Sequence, residues 1–303
     1  MIKNVRKKYA TVIVILLCTA LIIIAMTMPK HIIYLMSLSL PFAIGVMGYS
    51  FFTRKTNLLS LGHSVFYGVG AYLTAFTIRI VHFEAVLVIT IITSAVLALI
   101  IGLITLRLKG IYFTFLTFAL TMIFYSLAVK LRGVTGGDDG LPVPAPKFVV
   151  ENLIGENPFT LIILEIAVFA LLLTISIVIE YSDFGLSLSS IGQDEVKVVA
   201  LGISPYLLKL LGFILSAIYM SIAGALTAVV INFVSPKYFY WTRAADFTVV
   251  LLMGGLRNFW GPIAVALLYT PLVVYVGAII QYWQLVIGLI VIIISLGIIS
   301  IKR

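Results

Sequence analysis

The sequence contains few charged residues and a single cysteine, and both scarcities restrict what the protein can be. Charged residues make up 10% of the 303 residues, against roughly 25% in an average soluble domain. The hydrophobic fraction is 62% and the mean hydropathy is +1.22, which is more apolar surface than a soluble fold of this length could bury. The lone Cys18 excludes an intramolecular disulfide and a cysteine metal cluster. We therefore predict an α-helical protein embedded in a lipid bilayer.

No recognisable catalytic motif accompanies this composition. The chain lacks His-Glu-x-x-His, Gly-x-Ser-x-Gly and the Walker pattern Gly-x-x-x-x-Gly-Lys-Ser/Thr. Its three histidines (His31, His63 and His82) stand near the ends of apolar runs, where a polar residue at the membrane interface is expected. We predict no catalytic site, no metal site and no cofactor, so any ATP hydrolysis that drives this chain must come from a separate subunit.

The net charge is +9. The positions of the basic residues are typical of loops that set membrane topology, and not of a basic face that binds nucleic acid. Four of the 20 Lys and Arg residues lie in the first eight positions, and most of the others lie in short loops between apolar runs. With the N-terminus inside, 13 of them fall on the inner side of the membrane and 7 on the outer side. The positive-inside rule then predicts that both termini are cytoplasmic.

The apolar runs predict one all-α transmembrane domain, a polytopic bundle over residues 1–303 with about ten spans. A helix needs about 20 apolar residues to cross the roughly 30 Å of hydrocarbon. The first run is too long for a signal-peptide core and is predicted to be a retained helix. The eighth is too short to cross alone and is predicted to be a broken or re-entrant helix buried among its neighbours. The predicted spans are residues 9–29, 32–52, 58–79, 85–106, 111–130, 158–180, 208–232, 244–256, 259–280 and 285–301.

Two connections are longer than simple turns. The outer loop, residues 132–157, contains Thr135-Gly136-Gly137-Asp138-Asp139-Gly140 and then three prolines. Glycine permits positive φ and proline favours extended backbone, so a defined, solvent-facing turn is predicted there.

The inner loop, residues 181–207, is predicted to hold a short helix on the cytoplasmic face. Asp194 and Glu195 stand at its expected start, where acids meet the positive end of the helix dipole. Gly202 stands where a C-cap is expected, and Pro205 follows as a stop. Val196, Val198 and Val199 would give this helix an apolar surface, which favours contact with a partner protein.

Two acids fall inside predicted spans, where a charge is costly and is a candidate functional group. Asp246 has a possible partner in Arg243, whereas Glu165 either has a buried role or reaches the outer interface. Neither belongs to a chain of buried acids such as a proton relay would need. This weighs against an ion-coupled carrier, which stays open as an alternative.

The third span is rich in small residues. Ser64, Gly68, Ala71 and Ala75 form a small-xxx-small stripe that favours close helix packing, while aromatic residues on the other faces are candidates to line a pathway. Its string Gly70-Ala71-Tyr72-Leu73-Thr74-Ala75 resembles Gly224-Ala225-Leu226-Thr227-Ala228 in the seventh span. A true repeat and a chance recurrence both remain open. The candidate pathway and packing residues are Ser64, Phe66, Tyr67, Gly68, Gly70 and Tyr72.

Several strings resemble a known family. Ser60-Leu61-Gly62-His63-Ser64-Val65-Phe66-Tyr67-Gly68-Val69-Gly70-Ala71-Tyr72 is similar to the third-span signature of branched-chain amino acid ABC transporter permeases, of the M type. Residues 106–113, 135–142, 192–224 and 254–262 match the same family in order. Two features depart from the family: His63 replaces a common Gln, and the stretch before Glu195 lacks basic residues.

The resemblance implies the permease subunit of an importer for branched-chain or similar amino acids. It implies three kinds of partner: a second homologous permease, two cytoplasmic ABC ATPases and an extracytoplasmic solute-binding protein. It also implies that Asp194, Glu195, Val199 and Gly202 belong to the helix that an ATPase grips. Separately from the resemblance, the density of Gly and Pro in the outer loop around Thr135, Gly136, Gly137 and Asp139 predicts that this loop helps shape the outer vestibule. Permeases of the same family for urea, amides or other small polar solutes are one alternative. An ion-coupled carrier and a membrane-embedded enzyme are alternatives of other classes.

Overall fold

The protein, seen in a computed structural model, is a bundle of apolar helices. The structure describes residues 16–17, 19–24, 27–148, 159–256, 258–279, 281–282, 284–286, 288–290 and 292–293. The bounded helices of six or more residues are α1 (Lys30–Thr56), α2 (His63–Thr77), α3 (Phe83–Thr105), α4 (Ile111–Lys130), α5 (Thr160–Glu180), α6 (Asp183–Gln193), α7 (Glu195–Ala200), α8 (Pro205–Ile231), α9 (Trp241–Gly254) and α10 (Trp260–Ile279). A single helical turn also spans Arg132–Thr135.

Among the described residues, six helices are long and apolar enough to cross a membrane: α1, α3, α4, α5, α8 and α10. They coincide with six of the predicted spans, which confirms the helical membrane bundle. The predicted spans 9–29 and 285–301 lie partly outside the described residues, although residues 16–17, 19–24, 284–286 and 288–290 are helical. The total of ten spans and the cytoplasmic position of both termini therefore stay predictions.

The centre of the bundle is formed by α1 and α8, two helices of 27 residues each. Both are largely buried, whereas most residues of α3, α4 and α10 are apolar and are partly or fully exposed. Each central helix ends at an asparagine in the left-handed conformation, Asn57 with φ 54° and Asn232 with φ 55°, which stops the helix and turns the chain back. We call the end of the bundle at Thr56 the lower end and the opposite end the upper end.

The chain returns into the bundle after α1 as irregular, non-helical backbone, and the prediction of a helical span over 58–79 was wrong for its first residues. Helix α2 begins only at His63, and threonines of α4 satisfy the backbone before it. Thr114 donates to the carbonyl of Leu59 (2.7 Å), Thr117 accepts from the amide of Leu61 (3.2 Å), and Thr121 donates to the carbonyl of Leu61 (2.9 Å). Non-helical backbone at membrane depth requires such internal partners.

The predicted short span 244–256 is a 14-residue helix, α9, that packs on α1, α2 and α10. The chain between α8 and α9 also runs back as irregular backbone, with a 3₁₀ turn at Pro236–Tyr238. The all-α prediction missed a small antiparallel ladder: β1 (Leu141–Pro142) pairs with β2 (Phe233–Val234) at the upper end. The spans that contain α2 and α9 therefore both include non-helical backbone, whereas only the eighth span was predicted to be broken.

Small residues let α2 cross α8 at very short distance. A Cβ added to Gly70 would lie 2.0 Å from the carbonyl oxygen of Ser221, and one added to Gly224 would lie 1.9 Å from that of Tyr67. The two similar glycine strings thus face each other across one crossing. The closest contact is made by Gly70, outside the predicted stripe of small residues, while Gly68 of that stripe lies against the ring of Phe239.

Candidate coupling surface and translocation core

Helix α6 is held tightly beneath the bundle. The side chain of Ser182 caps it by accepting a hydrogen bond from the amide of Gly185 (3.2 Å). A Cβ on Gly185 would lie 2.1 Å from the carbonyl oxygen of Ile179, and one on Gly192 would lie 2.4 Å from that of Lys55. The side chain of Asn57 donates to the carbonyl of Gly192. The backbones of α6 and of the end of α1 are therefore in direct contact.

Helix α7 begins where the acidic pair predicted a helix start, although the helical region is divided into α6 and α7 with Asp194 between them. Asp194 accepts hydrogen bonds from the amides of Val196 (3.1 Å) and Lys197 (3.2 Å). The contact with the Lys197 side chain, followed by these amide bonds, holds the pKa of Asp194 below its ordinary value. Gly202 has φ 78° just after the helix, as its C-cap position predicted. Pro205 opens α8 rather than only ending α7.

Glu195 joins α7 to two other parts of the bundle. Its carboxylate lies 3.1 Å from the ammonium of Lys209 in α8 and 3.3 Å from that of Lys109, which precedes α4. Partial burial opposes ionisation of this carboxyl, but the hydrogen bond from Lys209 and the further contact with Lys109 outweigh it and hold the pKa of Glu195 below its ordinary value. The side chain of Lys209 is only 7% exposed, so Glu195 supplies its counter-charge.

The apolar surface of α7 is smaller than predicted. Val196 and Val199 are 78% and 56% exposed, and Leu201 beyond them is 77% exposed. Val198 is buried at 3% and packs with a small cluster that includes Leu188, so its assignment to the exposed surface was wrong. Because one face of a six-residue helix must rest on α6, only the other face remains available to a partner.

A buried ion cluster that sequence analysis missed closes the lower end between α1 and α5. Glu180 lies 2.8 Å from Arg54 and 2.9 Å from Lys55, and these side chains are only 7–11% exposed. The only signal in the sequence was the coincidence of basic and acidic residues at the ends of two predicted spans. That signal does not show which ends meet.

The described part of the outer loop, residues 132–148, is an ordered turn at the upper end. Thr135 donates to the carbonyl of Leu131 (2.9 Å), and Gly136 and Gly137 have φ 76° and 59°. Asp139 is exposed and lies 3.7 Å from Arg132. The glycine-rich turn leads into β1 and so into the ladder with β2, which ties the loop to the connection between α8 and α9.

The six candidate pathway residues are all in α2 and lie inside the bundle. Phe66 packs against Phe213, Tyr72 stacks on Phe239 at 5.5 Å, and Tyr67 contacts Tyr238. Ser64 donates to the carbonyl of Phe239 (3.1 Å), which joins the two broken spans, while Gly68 and Gly70 provide the close approaches described above. The contacts of these six residues therefore fix the position of α2 in the bundle. That the residues line a pathway stays a prediction.

Four further polar side chains belong to this region. His63 is fully buried with Nε2 at 2.9 Å from the hydroxyl of Ser216, so its interfacial placement was wrong. Arg243 and Asp246 do pair, at 3.6 Å. Glu165 is fully buried and does not reach the interface. Among the described residues no group of His, Cys, Asp and Glu side chains could hold a metal ion.

Comparison with known proteins finds a family whose sequence model matches this chain. The family described as branched-chain amino acid transport system / permease component matches residues 31–296. The high-affinity branched-chain amino acid transport system permease protein LivM of Escherichia coli (strain K12) is 26% identical over 281 residues, covering 84% of this chain and 66% of that protein. The LivM of Salmonella typhimurium is 26% identical over 277 residues, covering 82% and 65%. This chain thus spans about two thirds of the length of these relatives, and no solved structure matches it.

The family match covers nearly the whole bundle, including α1 to α10, and it describes a transport component rather than an enzyme. The apolar helices of this chain and its permease relatives indicate a multi-pass protein of the inner membrane. The chain therefore belongs to the family of branched-chain amino acid transport system permeases.

Proposed function

We propose that this chain is the transmembrane permease subunit of an ABC importer and passes branched-chain or similar amino acids across the cell membrane as a single domain. A second homologous permease completes the pathway, two cytoplasmic ATPases hydrolyse ATP, and an extracytoplasmic solute-binding protein delivers the substrate. The names of the LivM relatives and the family description support this substrate class. Urea, short amides and other small polar solutes are the alternative substrates.

The observation that carries the proposal is the exposed apolar face of α7. Val196 and Val199 of α7, and Leu201 just after it, are each more than half exposed, while the buried Val198 holds the other face of the helix against α6. A connection that only had to be soluble would place polar residues there, because exposed apolar groups in a cluster indicate an interaction site. In an ABC importer, the protein that meets the permease on this side is the ATPase.

The attachment of α7 suits it to transmit force. Glu195 binds Lys209 of α8 and Lys109 before α4, while α6 touches the end of α1 through Gly192 and Asn57. A displacement of α7 by an ATPase would therefore act on both central helices together. Close backbone contact matters here because well-packed interfaces move as units rather than deform gradually.

The upper end supports a role in receiving substrate. In the turn around Thr135, Gly136, Gly137 and Asp139, the side chain of Asp139 is exposed while Gly137 is buried, and the turn is tied through β1 and β2 to the chain that enters α9. We place the vestibule and the contact with the solute-binding protein at this turn. In this proposal the broken spans α2 and α9 carry the pathway that begins there.

The test is the Val199→Arg variant, expressed with the ATPases, the second permease and the binding protein. A bulky charge on the exposed face of α7 should prevent docking, so the purified complex should lose its ATPases while the permease remains folded in the membrane. The matched control is Val134→Arg, because Val134 is similarly exposed (59%, against 56% for Val199) but lies at the upper end. That variant should retain the ATPases.

The result that would overturn the coupling role is retention of both ATPases and of substrate-stimulated hydrolysis by Val199→Arg. Uptake by the unmodified transporter tests the substrate separately. Transport of radiolabelled leucine with its binding protein is expected, and transport of urea or an amide instead would identify the alternative substrate class. Uptake that needs no ATPase would indicate an ion-coupled carrier.

A further inference from the structure

The ion pair of Arg243 and Asp246 lies at the middle depth of the bundle. Asp246 accepts a hydrogen bond from the hydroxyl of Tyr269 (3.2 Å), and Tyr269 is at the midpoint of α10. The next residue, Phe247, stacks at 5.0 Å on Phe42, which is at the midpoint of α1. Both neighbours place the pair about halfway between the ends of helices that cross the membrane.

The pair is nevertheless open to the surface of the chain. The side chains of Arg243 and Asp246 are 31% and 29% exposed, whereas the buried cluster of Arg54, Lys55 and Glu180 is only 7–11% exposed. A charged side chain facing lipid at this depth costs at least about 2.5–3.5 kcal/mol on insertion scales. The exposed side of this pair therefore faces water or protein rather than hydrocarbon, which is where a pathway between two permeases would run.

The geometry leaves both charges free to bind a ligand. The closest nitrogen and oxygen are 3.6 Å apart, longer than the roughly 2.7–2.9 Å of a charge-assisted hydrogen bond. A guanidinium carries five N–H donors, and among the described residues Asp246 is the only carboxylate paired with Arg243. The guanidinium lies over the rings of Tyr67 and Tyr238, at 5.5 and 5.9 Å, which fixes its position without using its donors.

We propose that Arg243 and Asp246 form a transit site for the zwitterionic head group of an α-amino acid. The inference rests on the proposed importer function and names the contact that the substrate makes inside the permease. The guanidinium binds the α-carboxylate, Asp246 binds the α-ammonium, and the tyrosine rings form the walls of the site. The two charges neutralise those of the head group while it crosses the middle of the membrane, and their loose mutual contact lets the substrate leave.

The first test measures water access in the assembled transporter, with Cys18→Ser as the background. Thr242 is exposed and lies one helical turn before Asp246, on the same face of α9. Thr242→Cys should react with a charged, membrane-impermeant thiol reagent. The matched control is Leu268→Cys, which is at the depth of Tyr269 and is 71% exposed on the apolar surface; it should not react. An unreactive Thr242→Cys would overturn the site, whatever the transporter carries.

The second test separates a substrate contact from a structural pair. Arg243→Gln and Asp246→Asn should each reduce leucine uptake by about 10- to 150-fold, the range expected for the loss of a charged hydrogen bond, with normal amounts of assembled complex. The double variant should stay as impaired as the single variants. If the pair were only structural, neutralising both charges would leave nothing unpaired and uptake would recover, which would overturn the proposal.

Wild-type uptake, measured first, distinguishes the two levels of inference. If the Thr242→Cys variant reacts but the wild-type transporter carries no amino acid, the proposed function is refuted, and with it the ligand assigned to Arg243 and Asp246. An active wild type combined with recovery in the double variant would leave the importer function in place and refute the transit site alone.

Discussion

Replacing Gly70 by alanine tests the crossing of α2 and α8, on which the position of the whole broken span depends. The added Cβ would lie 2.0 Å from the carbonyl oxygen of Ser221, whereas carbon and oxygen in contact are about 3.3–3.6 Å apart. The two helices must therefore separate by more than 1 Å at this point. Overpacking typically costs about 1–3 kcal/mol. Both partners here belong to helix backbones that cannot rotate away, so we expect a loss of stability of about 3 kcal/mol.

The assay is thermal unfolding of the purified permease in detergent, with Gly133→Ala as the control because nothing lies within 4 Å of its added Cβ. At a few degrees per kcal/mol, Gly70→Ala should lower the melting temperature by about 5–10 °C. Gly224→Ala should have a similar effect, since its Cβ would lie 1.9 Å from the carbonyl oxygen of Tyr67. The double variant should lose less than the sum, because one separation relieves both clashes. A Gly70→Ala permease that melts with the wild type would refute the crossing.

Three further predictions concern topology, the outer loop and the coupling segment. Asp139→Cys should react with an impermeant thiol reagent in intact cells and Ser190→Cys should not; the opposite labelling would invert the orientation. Valine at Gly136 and Gly137 should impair uptake with the ATPases still bound, because a Cβ at Gly136 would lie 1.9 Å from a carbonyl oxygen; normal uptake would reduce the loop to a connector. Glu195→Ala should weaken coupling and speed amide hydrogen exchange over residues 196–203 by about 5- to 150-fold, for a loss of about 1–3 kcal/mol. Since the pKa of Glu195 is lowered on folding, its contribution should be constant above an ordinary Glu pKa of about 4.3 and fall only as the pH drops through the lowered value; a loss between pH 8 and 6 would contradict this.

Features that depend on a residue and its near neighbours could be predicted from the sequence. The six apolar spans were predictable because transfer into lipid depends mainly on the composition of each run. The start of α7 at Asp194 and the left-handed Gly202 after it were predictable because capping is a local property of the backbone. The pairing of Arg243 with Asp246 was predictable because residues three apart share one face of a helix.

Features that depend on how helices meet were decided only by the tertiary structure. The start of α2 at His63 follows from threonines in α4 that satisfy the preceding backbone, and no pattern within the span itself shows them. Val198 is buried because α7 rests on α6, and an isolated apolar helix does not reveal which side is covered. Likewise, the sequence shows only that Arg243 is a possible partner of Asp246. Only the packing of α9 against α1 and α10 shows that both side chains stay partly exposed, because exposure depends on which helices cover a residue.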